Sequence, residues 1–168
     1  MPQRNTNHDV LIAPATERDV AVLHGLITAL ADYERLTHAV VATERDLRDA
    51  LFGPHPHAEA VIASIGGDAV GFALWFHNYS TFIGRPGLYL EDLFVLPAWR
   101  SRGVGRALIV HLARIAVERR CGRMEWSVLD WNEPAIRFYK SLGAKPMDEW
   151  TVFRVTGDAL VKLAEDAV

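Results

Sequence analysis

The chain has 168 residues, half of them hydrophobic and 23% charged, and a net charge of −3. This is enough for one domain with a sound core and short for two of typical size. A mildly acidic chain lacks the basic face that nucleic acid requires, and no apolar run approaches the about 18 residues of a membrane span, so neither partner is expected.

Residues 1–9, MPQRNTNHD, are polar and read as a flexible tail, not a secretory signal. The remainder, 10–168, reads as a single domain. Val10 to Ala13 forms a short strand. Thr16, with Asp19 three places on, caps a helix whose apolar face is Val20, Leu23, Leu26, Ile27 and Leu30. Thr43 and Asp46 repeat that signal for a short helix ending near Phe52. Ala60 to Ile65 and Val70 to Tyr79 are strands joined by the turn residues Gly66-Gly67-Asp68. A loop through Gly84, Pro86 and Gly87 leads to a third strand of this group, Leu88 to Val95, which Pro97 ends.

Next comes R-x-x-G-x-G (Arg100, Gly103, Gly105), followed by Val104, Ala107, Leu108, Ile109, Leu112, Ile115 and Ala116 at helical spacing. Arg123 to Leu129 is a strand. Asn132 caps a helix with Pro134 in its first turn, and Gly143 ends it. Trp150 to Val155 reads as a last strand and Asp158 to Glu165 as a terminal helix. The order predicts an α/β (α+β) fold, a mixed sheet with helices on both faces.

A strand, a glycine-containing turn and a helix start together offer free backbone N–H groups and the positive end of a helix dipole to a phosphate. A Walker loop is excluded, because it needs four residues between its glycines and then Gly-Lys-Ser/Thr. A dinucleotide fingerprint needs a third small residue where this chain has Leu108, and roughly 60 residues after Gly105 is short for that fold. Glu125, about 20 residues on, is the one feature that favours it, and the third reading, an R-x-x-G-x-G/A pyrophosphate loop, is left for the surrounding sequence to decide.

Around that loop the chain resembles the Gcn5-related N-acetyltransferase (GNAT) superfamily. More narrowly, it is similar to the diamine, spermidine/spermine and thialysine N-acetyltransferase branch. The matching stretches are PATERD (Pro14 to Asp19), LADYE (Leu30 to Glu34), TERDL (Thr43 to Leu47), YLEDLFV (Tyr89 to Val95), RSRGVGRAL (Arg100 to Leu108) and WNEPAIRFYKSLGA (Trp131 to Ala144). The resemblance implies the acyl-CoA N-acyltransferase fold: a mostly antiparallel sheet with a V-shaped splay between the strands of Leu93 to Val95 and Glu125 to Leu129. It implies acetyl-CoA as cofactor and no metal. The pantetheine arm would pair with Leu93, Phe94 and Val95. The pyrophosphate would rest on the N–H groups of Ser101, Arg102, Gly103, Val104, Gly105 and Arg106, in the loop opened by Arg100. Asn132, Pro134 and Tyr139 would complete the cofactor set.

Acetyl transfer to an amine needs a proton acceptor, because an alkylamine with a pKa near 10.4 is mostly ammonium at neutral pH. The oxyanion needs N–H donors, expected from backbone near Phe94, and the departing thiolate needs a proton. By the resemblance, Tyr139 in Phe138-Tyr139-Lys140 is the general acid and Glu91 the base, direct or through a water. Alternation places Glu91 and Asp92 on opposite faces unless a bulge intervenes, so Asp92 is a secondary candidate for the substrate. Tyr33 and Glu34 match the family's amine groove, and Phe82 and Trp150 would flank an aliphatic substrate.

The loop STFIGRPGLYLED (Ser80 to Asp92) has Phe82 where spermidine/spermine enzymes carry tryptophan, and its Pro86-Gly87 pair adds a residue. It looks more like the diamine and thialysine members. His55 and His57 in GPHPH have no carboxylate or cysteine cluster and read as loop residues. The one cysteine, Cys121, excludes an internal disulfide and fits a reducing, cytoplasmic compartment.

The expected function is direct acetyl transfer to a small diamine, polyamine or lysine-like amine by a homodimer. The alternatives are a protein or peptide amine acetyltransferase and a non-catalytic acyl-CoA-binding module.

Overall fold

The helices opening at Val20, Glu44 and Glu133 begin where a short polar side chain bonds backbone N–H groups at the helix start. In the computed structural model, which describes residues 10–165, the Asp19 carboxylate accepts from both the backbone N–H and the hydroxyl of Thr16, each at 2.7 Å. A 3₁₀ turn, Glu17–Asp19, then leads into helix α1, Val20–Tyr33. Thr43 caps helix α2, Glu44–Phe52, by accepting from the Asp46 N–H at 3.2 Å, and Asp46 answers by accepting from the Thr43 N–H at 2.8 Å. The reciprocal pattern settles two donors at once. The expected tail, 1–9, lies outside the described residues.

The chain divides into two compact units, one up to Ser127 and one from Val128. The first carries strands β1 (Leu11–Pro14), β2 (Glu59–Ile65), β3 (Asp68–Ser80), β4 (Arg85–Val95) and β5 (Arg123–Trp126), with helix α3 (Val104–Glu118) between the last two. The sheet order is β1-β2-β3-β4-β5, antiparallel except for the parallel β4–β5 pair. The expected mixed, mostly antiparallel sheet is therefore present. Gly66 and Gly67, at φ 63° and 93°, make the β2–β3 hairpin turn.

Both faces of the sheet are covered. Ala60, Ile62, Phe72 and Phe94 close one core with Leu23, Leu26, Leu47 and Leu51 of α1 and α2. Val61 and Ala63 alternate to the other face and are buried there too. On α3, Val104, Leu108, Ile109, Leu112 and Ala116 are buried, matching the helical spacing in the sequence. Just past the helix end, Arg119 grips the Glu59 carboxylate of β2 with both terminal nitrogens, one at 2.7 Å, so α3 is tied to the sheet at that end.

The second unit holds helices α4 (Glu133–Ser141) and α5 (Gly157–Glu165). Asn132 caps α4 as expected, its side-chain oxygen accepting from the Ala135 N–H at 3.3 Å. Two expectations are corrected. Residues 150–155 form no strand; among the described residues they have no ladder partner, and Trp150, Val152, Phe153 and Val155 are exposed. Alternating side chains favour a strand only where another edge supplies the hydrogen bonds. The strand expected over Arg123–Leu129 stops at Trp126, because the pairing with β4 ends at Leu90↔Trp126.

Candidate active site

Two irregularities in β4 build the site. The first is that the ladder to β5 runs only from Gly87↔Arg123 to Leu90↔Trp126, whereas β4 itself continues to Val95. From Glu91 to Val95 one edge of β4 has no strand beside it among the described residues. The Tyr89 hydroxyl and Ser127 Oγ lie 3.1 Å apart, a side-chain tie at the place where the ladder stops.

The second is a β-bulge. Trp75 lies opposite Leu90 and Leu74 opposite Asp92, which leaves Glu91 as the extra residue. Without it, Leu90 and Asp92 would share a face. With it, Asp92 moves to the face of Leu74, Phe72 and Phe94, the face that α1 covers.

That shift gathers three carboxylates. Asp92, half-buried, is pushed up to about 6, first by burial and then by the negative charges of Glu91 and Glu34. Glu34, at the end of α1, is also raised above the ordinary carboxylate range by burial. Among the described residues, no lysine, arginine or histidine forms an ion pair with Glu34, Glu91 or Asp92. Beside them, the Tyr33 ring lies 6.4 Å from Phe94, tilted by 49°. Of the expected amine-site residues, the fold brings together Tyr33, Glu34, Glu91 and Asp92. Phe82, by contrast, is 99% exposed at the β3–β4 hairpin tip.

The glycine loop follows β4. Ser101 and Gly103 both have positive φ, 60° and 82°, which turns the chain sharply into α3. At Gly103 glycine adopts this left-handed conformation without the strain a Cβ brings. Gly103 is the N-cap and has no side chain to bond the first turn, so α3 opens without the usual Ser, Thr or Asp cap. The N–H groups of Val104, Gly105 and Arg106 stand at the positive end of a 15-residue helix. Arg106 is exposed, and the Arg102 guanidinium lies 4.9 Å from the centre of the Trp99 ring. Such a turn fits a diphosphate, whose oxygens need several donors at close range. Arg100 makes contacts at the end of β4 and with Tyr33. Its Nε donates to the Val95 carbonyl at 3.0 Å, and its guanidinium lies 4.1 Å from the Tyr33 ring centre and 5.5 Å from that of Phe94.

In the second unit, Tyr139 is half-buried on α4, its ring 5.3 Å from that of Phe138, and its carbonyl accepts from the N–H groups of Leu142 and Ala144 to close the helix. Asn132 is buried in its capping role and Pro134 stands exposed in the first turn. Trp150 is 73% exposed. Among the described residues no group of three or more His, Cys, Asp or Glu could hold a metal ion, and no helix is long and apolar enough to cross a membrane. What sequence reasoning missed is the Tyr89–Ser127 tie and the contacts of Arg100 with Tyr33 and the Val95 carbonyl. Neither leaves a mark in residue spacing.

Comparison with known proteins agrees with this geometry. The model of the acetyltransferase (GNAT) family matches residues 24–144. A thialysine N-epsilon-acetyltransferase from Sus scrofa is 37% identical over 166 residues, covering 92% of this chain and 97% of that protein. An L-ornithine N5-acetyltransferase from Arabidopsis thaliana is 34% identical, covering 87% and 84%. An integron cassette protein from the mobile metagenome of V. cholerae superposes with a TM-score of 0.79 at 30% identity, covering 94% of this chain and 98% of that one. With the bulged strand, the uncapped glycine loop and the match across most of its length, the chain belongs to the acetyltransferase (GNAT) family and is an N-acetyltransferase.

Proposed function

We propose that the protein acetylates a primary amine of a small diamine, polyamine or lysine-like amino acid such as thialysine. The observation that carries this reading is the group of Glu34, Glu91 and Asp92, three carboxylates drawn together with no ion pair to a lysine, arginine or histidine among the described residues. Asp92 holds its charge at a cost that a bound ammonium would remove. Tyr33, beside them, offers an aromatic face to the aliphatic part of such a substrate. The thialysine and ornithine enzymes named above act on amines of this size.

Family members use acetyl-CoA, which supplies the acetyl group as an activated thioester. The residues proposed to hold it are Leu93, Phe94 and Val95 along the unpaired edge of β4, and Ser101 to Arg106 at the start of α3. Arg102 and Arg106 add positive charge there. Glu91 and Asp92 act on the amine: the pair holds the ammonium and takes its proton. The raised basicity falls on Asp92, so Asp92 is the better acceptor near neutral pH, with Glu91 supplying the charge that raises it. Backbone N–H groups near Phe94 steady the oxyanion. Tyr139 protonates the leaving sulfur, a role that rests on the WNEPAIRFYKSLGA motif, to which Asn132 and Pro134 also belong. Transfer is direct, since no cysteine belongs to either motif. Both units serve the activity as one catalytic domain, 10–168, in the cytoplasm.

The test is acetyl-CoA-dependent thiol release with putrescine, 1,3-diaminopropane, spermidine, spermine, lysine, ornithine, thialysine and a lysine-containing peptide. Saturable release with one or more of the small amines and none with the peptide is the expected result. Release with the peptide alone would move the assignment to a protein acetyltransferase. Silence across the series, with coenzyme A still binding, would point to a non-catalytic acyl-CoA-binding module.

We also propose a homodimer. Trp150, Val152, Phe153, Val155, Leu160 and Leu163 stand exposed in the second unit, a density of apolar surface that a second copy would cover. Sedimentation equilibrium should give twice the chain mass of 18.8 kDa; a monomer at micromolar concentration would sink the idea.

A further inference from the structure

Arg100 opens the glycine loop, yet its Nε is engaged at the end of β4 and its guanidinium lies against aromatic rings. Nε donates to the Val95 carbonyl at 3.0 Å, at the end of β4. The guanidinium stacks on Tyr33 at 4.1 Å and reaches Phe94 at 5.5 Å. Tyr33 is the last residue of α1 and is followed directly by Glu34, one of the two charges that raise Asp92. A single planar side chain therefore touches the end of β4, the end of α1 and, through its own backbone, the start of the turn at Ser101.

We infer that Arg100 is a positioning residue that links the phosphate-binding turn to the amine site by clamping Tyr33 against Phe94 and the Val95 carbonyl, and that it is not itself a phosphate ligand. The chemistry requires arginine. A guanidinium stacks flat on an aromatic ring while donating in its own plane, and lysine offers a point charge without that plane. The clamp holds Tyr33, and with it the backbone that carries Glu34, at a fixed place relative to Asp92. Loss of the clamp loosens the amine site and leaves the N–H groups at the start of α3 where they are.

This inference rests on the amine reading above, and the experiment separates the two. Arg100→Lys, Arg100→Gln, Tyr33→Leu and the Arg100→Lys/Tyr33→Leu double variant are prepared in the full chain. Coenzyme A affinity is measured by calorimetry, and KM and kcat for the best amine by steady-state assay. Arg100→Lys and Arg100→Gln should each raise the amine KM about tenfold while the coenzyme A Kd moves less than threefold. In the Tyr33→Leu background, Arg100→Lys should add little, because the partner it clamps is gone. A tenfold weakening of coenzyme A binding with the amine KM unchanged would show Arg100 to be a phosphate ligand and overturn the inference. Additive effects in the double variant would do the same. Should Arg100→Gln fail to fold, Arg100→Lys retains the charge and bears the test. Should the native enzyme acetylate no amine at all, the amine reading falls, and the coenzyme A Kd of the Arg100 variants alone decides the role of this residue.

Discussion

Asp92→Asn should lower kcat/KM for the amine by a hundredfold or more while making the protein more stable at pH 7.5. The first effect follows from removing the proton acceptor whose pKa lies nearest to neutrality; positioned acid–base groups contribute about 10²- to 10⁴-fold. The second follows from linkage. Asp92 is raised from 3.8 to about 6 by burial and by its carboxylate neighbours. The folded state therefore binds this proton more tightly than the unfolded chain. The stabilisation from this group is fully present below about pH 3.8 and is lost as pH rises through about 6. Above that, the ionised carboxylate weighs against folding by about 3 kcal/mol, since each pKa unit is worth about 1.4 kcal/mol. Asparagine has a similar shape and no charge to desolvate. Denaturant titrations at pH 4, 5, 6 and 7.5 should show the native protein losing stability across this range relative to Asp92→Asn. Parallel curves would show that Asp92 titrates normally and would remove it as the favoured acceptor. In the same variants, the acidic limb of kcat/KM near pH 6 should be present in the native enzyme and in Glu91→Gln, shifted downward in the latter because one repelling charge is gone. It should be missing in Asp92→Asn. A Glu91→Gln loss larger than that of Asp92→Asn would return the base role to Glu91.

The second large effect is expected at Tyr139. Tyr139→Phe should cut kcat by a hundredfold or more and leave the coenzyme A Kd within about threefold, the signature of an interaction made in the transition state. The substitution removes one oxygen from a half-buried ring and leaves its packing on Phe138 and the helix-closing carbonyl in place. The melting temperature separates a loss of fold from a loss of chemistry. A kcat within a few fold of the native value would mean that solvent or another group protonates the sulfur, and the motif would then be read as a cofactor-packing element only.

Much of the fold was legible because it rests on local chemistry. The Thr16/Asp19 and Thr43/Asp46 capping boxes and the Gly66-Gly67 turn each satisfy their own backbone within a few residues, so residue types at fixed offsets are enough to find them. Asn132 is found at the head of α4 for the same reason. The glycine loop belongs to this class as well, since the left-handed backbone at position 103 favours glycine for a local reason. The strand expected over 150–155 failed because its alternation is also local, but a ladder is not: it needs an edge, which only another part of the fold or another chain provides.

The sequence by itself determined the order of elements, the phosphate-binding turn and the residues from which an amine site must be drawn. The tertiary structure decided which of them meet. One extra residue in β4, Glu91, turns Asp92 toward the face covered by α1, and this brings three like charges into one partly buried place. The bulge is a mismatch between two strands and belongs to neither strand alone, so no spacing within β4 announces it. The same holds for Arg100. Its position in the motif suggests a phosphate, whereas its contacts with Tyr33, Phe94 and the Val95 carbonyl involve groups brought to it by folding. Charge and stacking energies depend on distance, and distances across elements are set by how the sheet and its helices pack.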